Sequence, residues 1–85
     1  MTWQAIQQAY PHQWVLVEAI DAYTDGPRRV IEQLNYIGSY PDGKAAWKAY
    51  LENHRADRWR EYYPLHTDRE TLDIGIMDST YQVVK

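Results

Sequence analysis

The run Trp14-Val15-Leu16-Val17 is apolar at four consecutive positions, three of them β-branched or aromatic. Side chains along a strand point alternately to its two faces, so such a run buries both faces and belongs inside a sheet. Four apolar residues fall far short of the ~20 that a membrane-spanning helix needs. A chain of 85 residues has room for one domain around such a strand. Folding at that size buries about two-thirds or less of the unfolded chain's surface. A few large side chains must therefore carry the core, and four Trp and eight Tyr stand ready, with no Phe. Their polar tips suit the rim of a core, and also an interface.

From Glu18 the run becomes an alternation. Ile20 and Ala22 fall on one face, Asp21 and Tyr23 on the other. Residues 13–23 thus read as a strand, closed by the turn Thr24-Asp25-Gly26-Pro27. Arg28–Tyr40 fits two templates. Val30, Ile31, Leu34 and Ile37 have helical spacing, with Pro27 at a helix start and Gly38 at a stop. The same residues alternate as a strand, and a tight turn after a strand favours a hairpin partner. The hairpin is the reading adopted. Before the first strand, Thr2 is placed to cap a two-turn helix with Trp3, Ile6 and Tyr10 on one face, ended by Pro11.

Asp42 is the expected N-cap of a helix over 44–55. In it Trp47, Tyr50, Leu51 and His54 recur at i, i+3, i+4 and i+7. Ala45, Ala46 and Ala49 supply helix propensity and allow close approach to a sheet. Residues 60–66 read as a third strand, which Pro64 assigns to an edge or a bulge. Thr67 and Glu70 have capping-box spacing, so one helical turn is expected there. Residues 72–77 read as a fourth strand and 79–85 as a weak strand or a loose tail. The fold expected is one small α+β domain over 1–85, ordered α-β-β-α-β-β. Its mostly antiparallel sheet is covered on one face by the longer helix, with the short helix alongside.

Charge and chemistry narrow the function classes. The net charge is −3, and no Lys or Arg precedes Arg28. This argues against a general nucleic-acid binder. Cysteine is absent, which excludes disulfides and thiolate metal sites and fits a cytoplasmic location. No signal peptide is expected, because no charged region precedes a long apolar stretch. No nucleophile elbow, phosphate loop or aspartic-protease motif is present, so no catalytic residue, metal or cofactor is expected. His66, Asp68 and Glu70 would share a strand face, but a capped turn at Thr67 breaks it. The candidate binding residues are Arg58, Trp59, Arg60 and Tyr62, where cations and rings alternate, with His66 and Arg69 further along.

Three stretches carry a family resemblance. They are Trp3-x-x-Ile6-x-x-x-Tyr10-Pro11-x-x-Trp14-Val15-Leu16-Val17-Glu18-Ala19, then Ala46-Trp47-x-x-Tyr50, then Arg60-Glu61-Tyr62-Tyr63-x-Leu65-His66-Thr67-x-Arg69-Glu70. The chain resembles, over nearly its whole length, a group of small bacterial proteins common in cyanobacteria. Pro64 departs from the apolar residue expected at its place. Members are often encoded beside retropepsin-like aspartyl proteases. The resemblance implies no activity and no functional residues. It does suggest a protease-like partner. The function expected is a non-enzymatic protein-interaction module, bound to a protein partner or to further copies of itself and to no membrane. The alternative is a small-ligand or nucleic-acid binding module using the Arg and aromatic patch.

Overall fold

The computed structural model describes residues 1–70 and 72–75, and its centre is the strand that begins with the apolar run. This is β1 (Trp14–Asp25). A two-residue loop, Gly26-Pro27, returns the chain into β2 (Arg28–Tyr40), with Asp25 opposite Arg28. Gly26 has φ +60°, a conformation glycine adopts without steric cost. Positive φ at the first loop residue and proline's fixed φ at the second fit a type II′ turn, whose twist matches that of the strands it joins. Arg28–Tyr40 is therefore strand, as the hairpin reading requires. Its helical spacing loses because β1 is already extended beside it and supplies a full ladder.

The hairpin ladder slips at three places. Ile37 is extra in β2, Ile20 is extra in β1, and Glu32 is extra in β2. Such bulges bend a strand and increase its twist. Ile20 has no partner residue opposite it and is 59 % exposed.

The other strands complete one antiparallel sheet in the order β3-β1-β2-β4, with β3 (Glu61–His66) and β4 (Asp73–Gly75) at its edges. Pro64 lies in an edge strand, as its missing N–H demands. The Thr67 amide donates to the Gln13 carbonyl at 2.9 Å. Alternate residues back along β3 repeat that inward direction, which turns position 64 outward. Beyond β4, the Met1 ammonium donates to the Leu34 carbonyl at 2.7 Å, and the Leu34 amide donates to the Met1 carbonyl at 2.6 Å. The outer edge of β2 is thus occupied at two points.

Both faces of β1 are covered. On one lies α1 (Trp3–Ala9), capped by the Thr2 hydroxyl, which accepts from the Ala5 amide at 3.1 Å. Trp3 and Ile6 pack with Val15, Val17, Leu34 and Leu65. Tyr10 extends that face by stacking on Tyr36, with ring centroids 4.0 Å apart. On the other lies α2 (Gly43–Ala56), capped by Asp42, which accepts from the Ala45 amide at 2.8 Å. Ala49 packs with Leu16 and Tyr62. The longer helix covers one face as expected, but the short helix lies on the opposite face rather than alongside. Val15 and Val17 need cover as much as Leu16 does.

Two local outcomes bear on the expectations. Ala46 and Ala49 let α2 lie close on the sheet, as expected, with Tyr50 packed on the same cluster, while Trp47 and Leu51 are exposed. The surface beneath holds Leu16, Tyr62 and the Trp14 indole. A Cβ on Gly43 would come within 3.0 Å of the Trp14 ring. Second, Thr67 opens no helical turn. It is buried, and its hydroxyl accepts from the Gln13 amide at 2.9 Å. Its oxygen is spent across the sheet end instead of on a cap. The fourth strand was expected over 72–77; residues 76 and 77 and the tail over 79–85 lie outside the described residues. No helix among the described residues is long and apolar enough to cross a membrane.

Candidate interaction surface

The loop between α2 and β3 holds the first three candidate residues and is built on Asp57. The Asp57 amide closes the helix by donating to the Asn53 carbonyl at 3.0 Å. Its carboxylate then organises the loop. One oxygen accepts from the Trp59 amide at 3.1 Å, the other from Arg60 Nε at 2.7 Å. A side chain bonded to the backbone two residues on is a local turn that needs no regular structure. Arg60 reaches further, and its Nη1 donates to Glu18 at 2.9 Å. Glu18 is 5 % exposed, in the central strand, and its second oxygen accepts from Asn35 Nδ2 at 3.3 Å. The carboxylates beside Arg60 raise its pKa, Asp57 foremost and Glu18 next. Trp59 stands between Asp57 and Arg60, which hold the loop, and is itself 97 % exposed.

The other candidates do not join this loop. Tyr62 is buried against α2, packed with Leu16 and Ala49. His66 lies at the far end of β3, roughly 20 Å along the strand from Arg60 at about 3.3 Å per residue. There its ring meets Trp14 edge-on at 5.3 Å, and its Nδ1 accepts from the Asp68 amide at 3.1 Å. His12, in the left-handed region at φ 54°, places Nδ1 2.6 Å from the Asp68 carboxylate. The Arg69 carbonyl accepts from Trp3 Nε1 at 2.8 Å and Gln7 Nε2 at 2.7 Å, which fastens α1 to the end of the sheet. Arg58, Trp59 and Arg60 are thus together, Tyr62 is in the core, and His66 and Arg69 are elsewhere. Among the described residues no set of three His, Asp or Glu side chains is arranged to hold a metal ion, and no pocket opens.

A second charged cluster ties the hairpin to β3. Arg29 donates to both oxygens of Glu61, at 3.1 and 2.8 Å, and to the Thr24 hydroxyl at 3.1 Å. Tyr63 donates its hydroxyl proton to the same carboxylate. The Arg29 guanidinium, more than the Tyr63 hydroxyl, holds the Glu61 carboxyl below the usual range against the opposing effect of burial. Burial first, and Glu61 second, push the Tyr63 phenol well up. Arg29 is thus a tether from the hairpin across β1 to β3.

Sequence reasoning missed Glu18, Asp57 and Asn35. Glu18 did leave a signal, since an acid beside a run that buries both faces must find a partner. Asp57 left a weaker one: an Asp directly after a helix can turn the chain. Nothing in the sequence pairs Asn35 with either. No protein-family model, no curated protein and no solved structure matches the chain.

Proposed function

We propose that this chain is a non-enzymatic protein-interaction module anchored on Trp59. One observation carries the reading: an almost fully exposed indole on a loop that Asp57, Arg60 and Glu18 hold in place. Exposed rings lose little entropy on binding when their backbone is already fixed. Tryptophan is the side chain most often found at binding hot spots, with tyrosine and arginine. A ring burying about 150–250 Å² is worth roughly 4–6 kcal/mol of apolar transfer before other losses. Strand addition at β3 is the weaker route. Pro64 removes the middle donor of its outward edge, leaving Tyr62 and His66 to supply amides. The partner that the family resemblance suggests is a retropepsin-like protease.

A second reading is favoured by the pairing of Trp59 with Arg58. A base could stack on the ring while the guanidinium meets phosphate. It predicts binding of single-stranded DNA or RNA that falls steeply with salt. The four-residue patch it started from is reduced, since Arg60 is engaged by two carboxylates and Tyr62 is buried. Affinity capture with the tagged chain at low and high salt separates the readings. A specific protein retained at high salt supports the module. Nucleic acid alone, lost at high salt, supports the second reading.

A further inference from the structure

The Lys and Arg side chains among the described residues divide into two sets. Arg29 and Arg60 are engaged by Glu61, Glu18 and Asp57, and Arg28 and Arg69 also have interactions. Lys44, Lys48, Arg55 and Arg58 form no side-chain hydrogen bond or ion pair among the described residues. All four lie in α2 or in the loop that follows it. The alanine face of α2 is turned to the sheet, so the 3.6-residue period places Lys44, Lys48, Leu51 and Arg55 on the line pointing away from it. Trp47 flanks that line. It is 54 % exposed and Leu51 is 37 % exposed. Glu52 is the single acid within the helix. Arg58 and the exposed Trp59 lie in the loop just beyond the helix end.

We infer that this ridge, from Lys44 to Trp59, docks an acidic polypeptide segment that also carries apolar side chains. The inference rests on the interaction reading above and names the partner's chemistry. In a chain of net charge −3 these cations, which have no carboxylate of their own to pair with among the described residues, favour negative charge opposite them, and the exposed Trp47, Leu51 and Trp59 favour apolar atoms. From Lys44 to Arg55 the ridge runs about 16 Å, at 1.5 Å per residue, which fits five extended residues or three turns of helix. A nucleic acid fits less well. Its backbone charge also meets the acids that leave the chain at a net −3. A lipid surface fits less well too, because the outward line of α2 is led by cations and offers no wide apolar stripe to bury.

The test uses the intact chain and a fluorescent synthetic peptide of Leu and Glu long enough to span α2. Controls carry Lys for Glu, or Ser for Leu. Oligodeoxythymidine and phosphatidylserine vesicles are compared with the peptide. The variant combines Lys44→Glu, Lys48→Glu and Arg55→Glu. A second variant with Gln at the same three positions guards against misfolding, which circular dichroism checks. The expected result is saturable binding of the Leu/Glu peptide and none of the Leu/Lys peptide. The charge reversal should weaken binding at least about tenfold, the combined effect of three exposed ion pairs in the middle of their range. No saturable binding, equal binding by the reversed variant, or tighter binding of the oligonucleotide or vesicles would overturn the inference. A cellular partner lost with Trp59→Ala but kept by the reversed variant would remove only the acidic-partner inference. Absence of any Trp59-dependent partner would remove the interaction reading itself.

Discussion

At the scale of single residues, charge placement explains more than hydrophobicity does. Glu18 sits in the central strand with almost no exposure, and a buried carboxylate is tolerated only when its oxygens are satisfied. Arg60 and Asn35 do so. Arg60→Ala should therefore lower the melting temperature clearly more than Arg58→Ala, although the two sit two residues apart. Equal shifts in a thermal melt would contradict this. Glu61 gives a pH dependence with a definite sign. Arg29 depresses its pKa in the folded state, so the stabilisation is complete above the unfolded value of about 4.3. It is lost as pH falls through the folded value. Urea denaturation should show stability declining below about pH 4, and Glu61→Gln should flatten that decline while lowering stability at neutral pH. Tyr63 acts at the alkaline end. Its pKa is raised, so its contribution disappears only as pH climbs past the ordinary phenol range.

At the scale of elements, the Gly26-Pro27 loop decides between strand and helix for the segment that follows. Gly26 has no heavy atom within 4 Å of where a Cβ would stand, so only its positive φ opposes substitution. Gly26→Ala should then cost about 1 kcal/mol or more, because an L-residue resists a positive φ that glycine adopts freely, as read by urea denaturation. A cost near zero would mean the loop relaxes to another turn. The strands and helices were legible in the sequence because local chemistry marks them: Thr2 and Asp42 as caps, Gly26 and Pro27 as a turn, Pro64 as an edge. What was not legible is which side of each element faces what. The regular stripe Trp47, Tyr50, Leu51 and His54 marks the helix, yet Tyr50 packs with Leu16, Ala49 and Tyr62 while Trp47 and Leu51 are exposed. The alanines lie closest to the sheet because Leu16 and Tyr62 already fill the surface beneath. Periodicity reports amphipathicity but not the space left by residues distant in sequence.

At the scale of the molecule, two layers of helix close on one central strand, and the hairpin runs on beyond them. Val15, Leu16 and Val17 are fully buried, whereas Ile20 and Tyr23 are exposed near the turn. Hydrogen exchange should follow this gradient, slowest at residues 15–17 and faster toward Gly26; uniform protection along the hairpin would contradict it. The candidate site was legible only in part. Arg58, Trp59 and Arg60 are adjacent in sequence and remain together in space. Tyr62, His66 and Arg69 were drawn in by residue type, but strand alternation buries the first and the length of β3 removes the other two. The central claim is that Trp59 is presented to a partner rather than held for the fold. Its most direct test is affinity capture with wild-type chain and with Trp59→Ala, alongside thermal melts of both. The account predicts an unchanged melt and loss of a specific protein that the wild type retains at high salt. Identical capture by the two, or a melt that collapses without the indole, would contradict it.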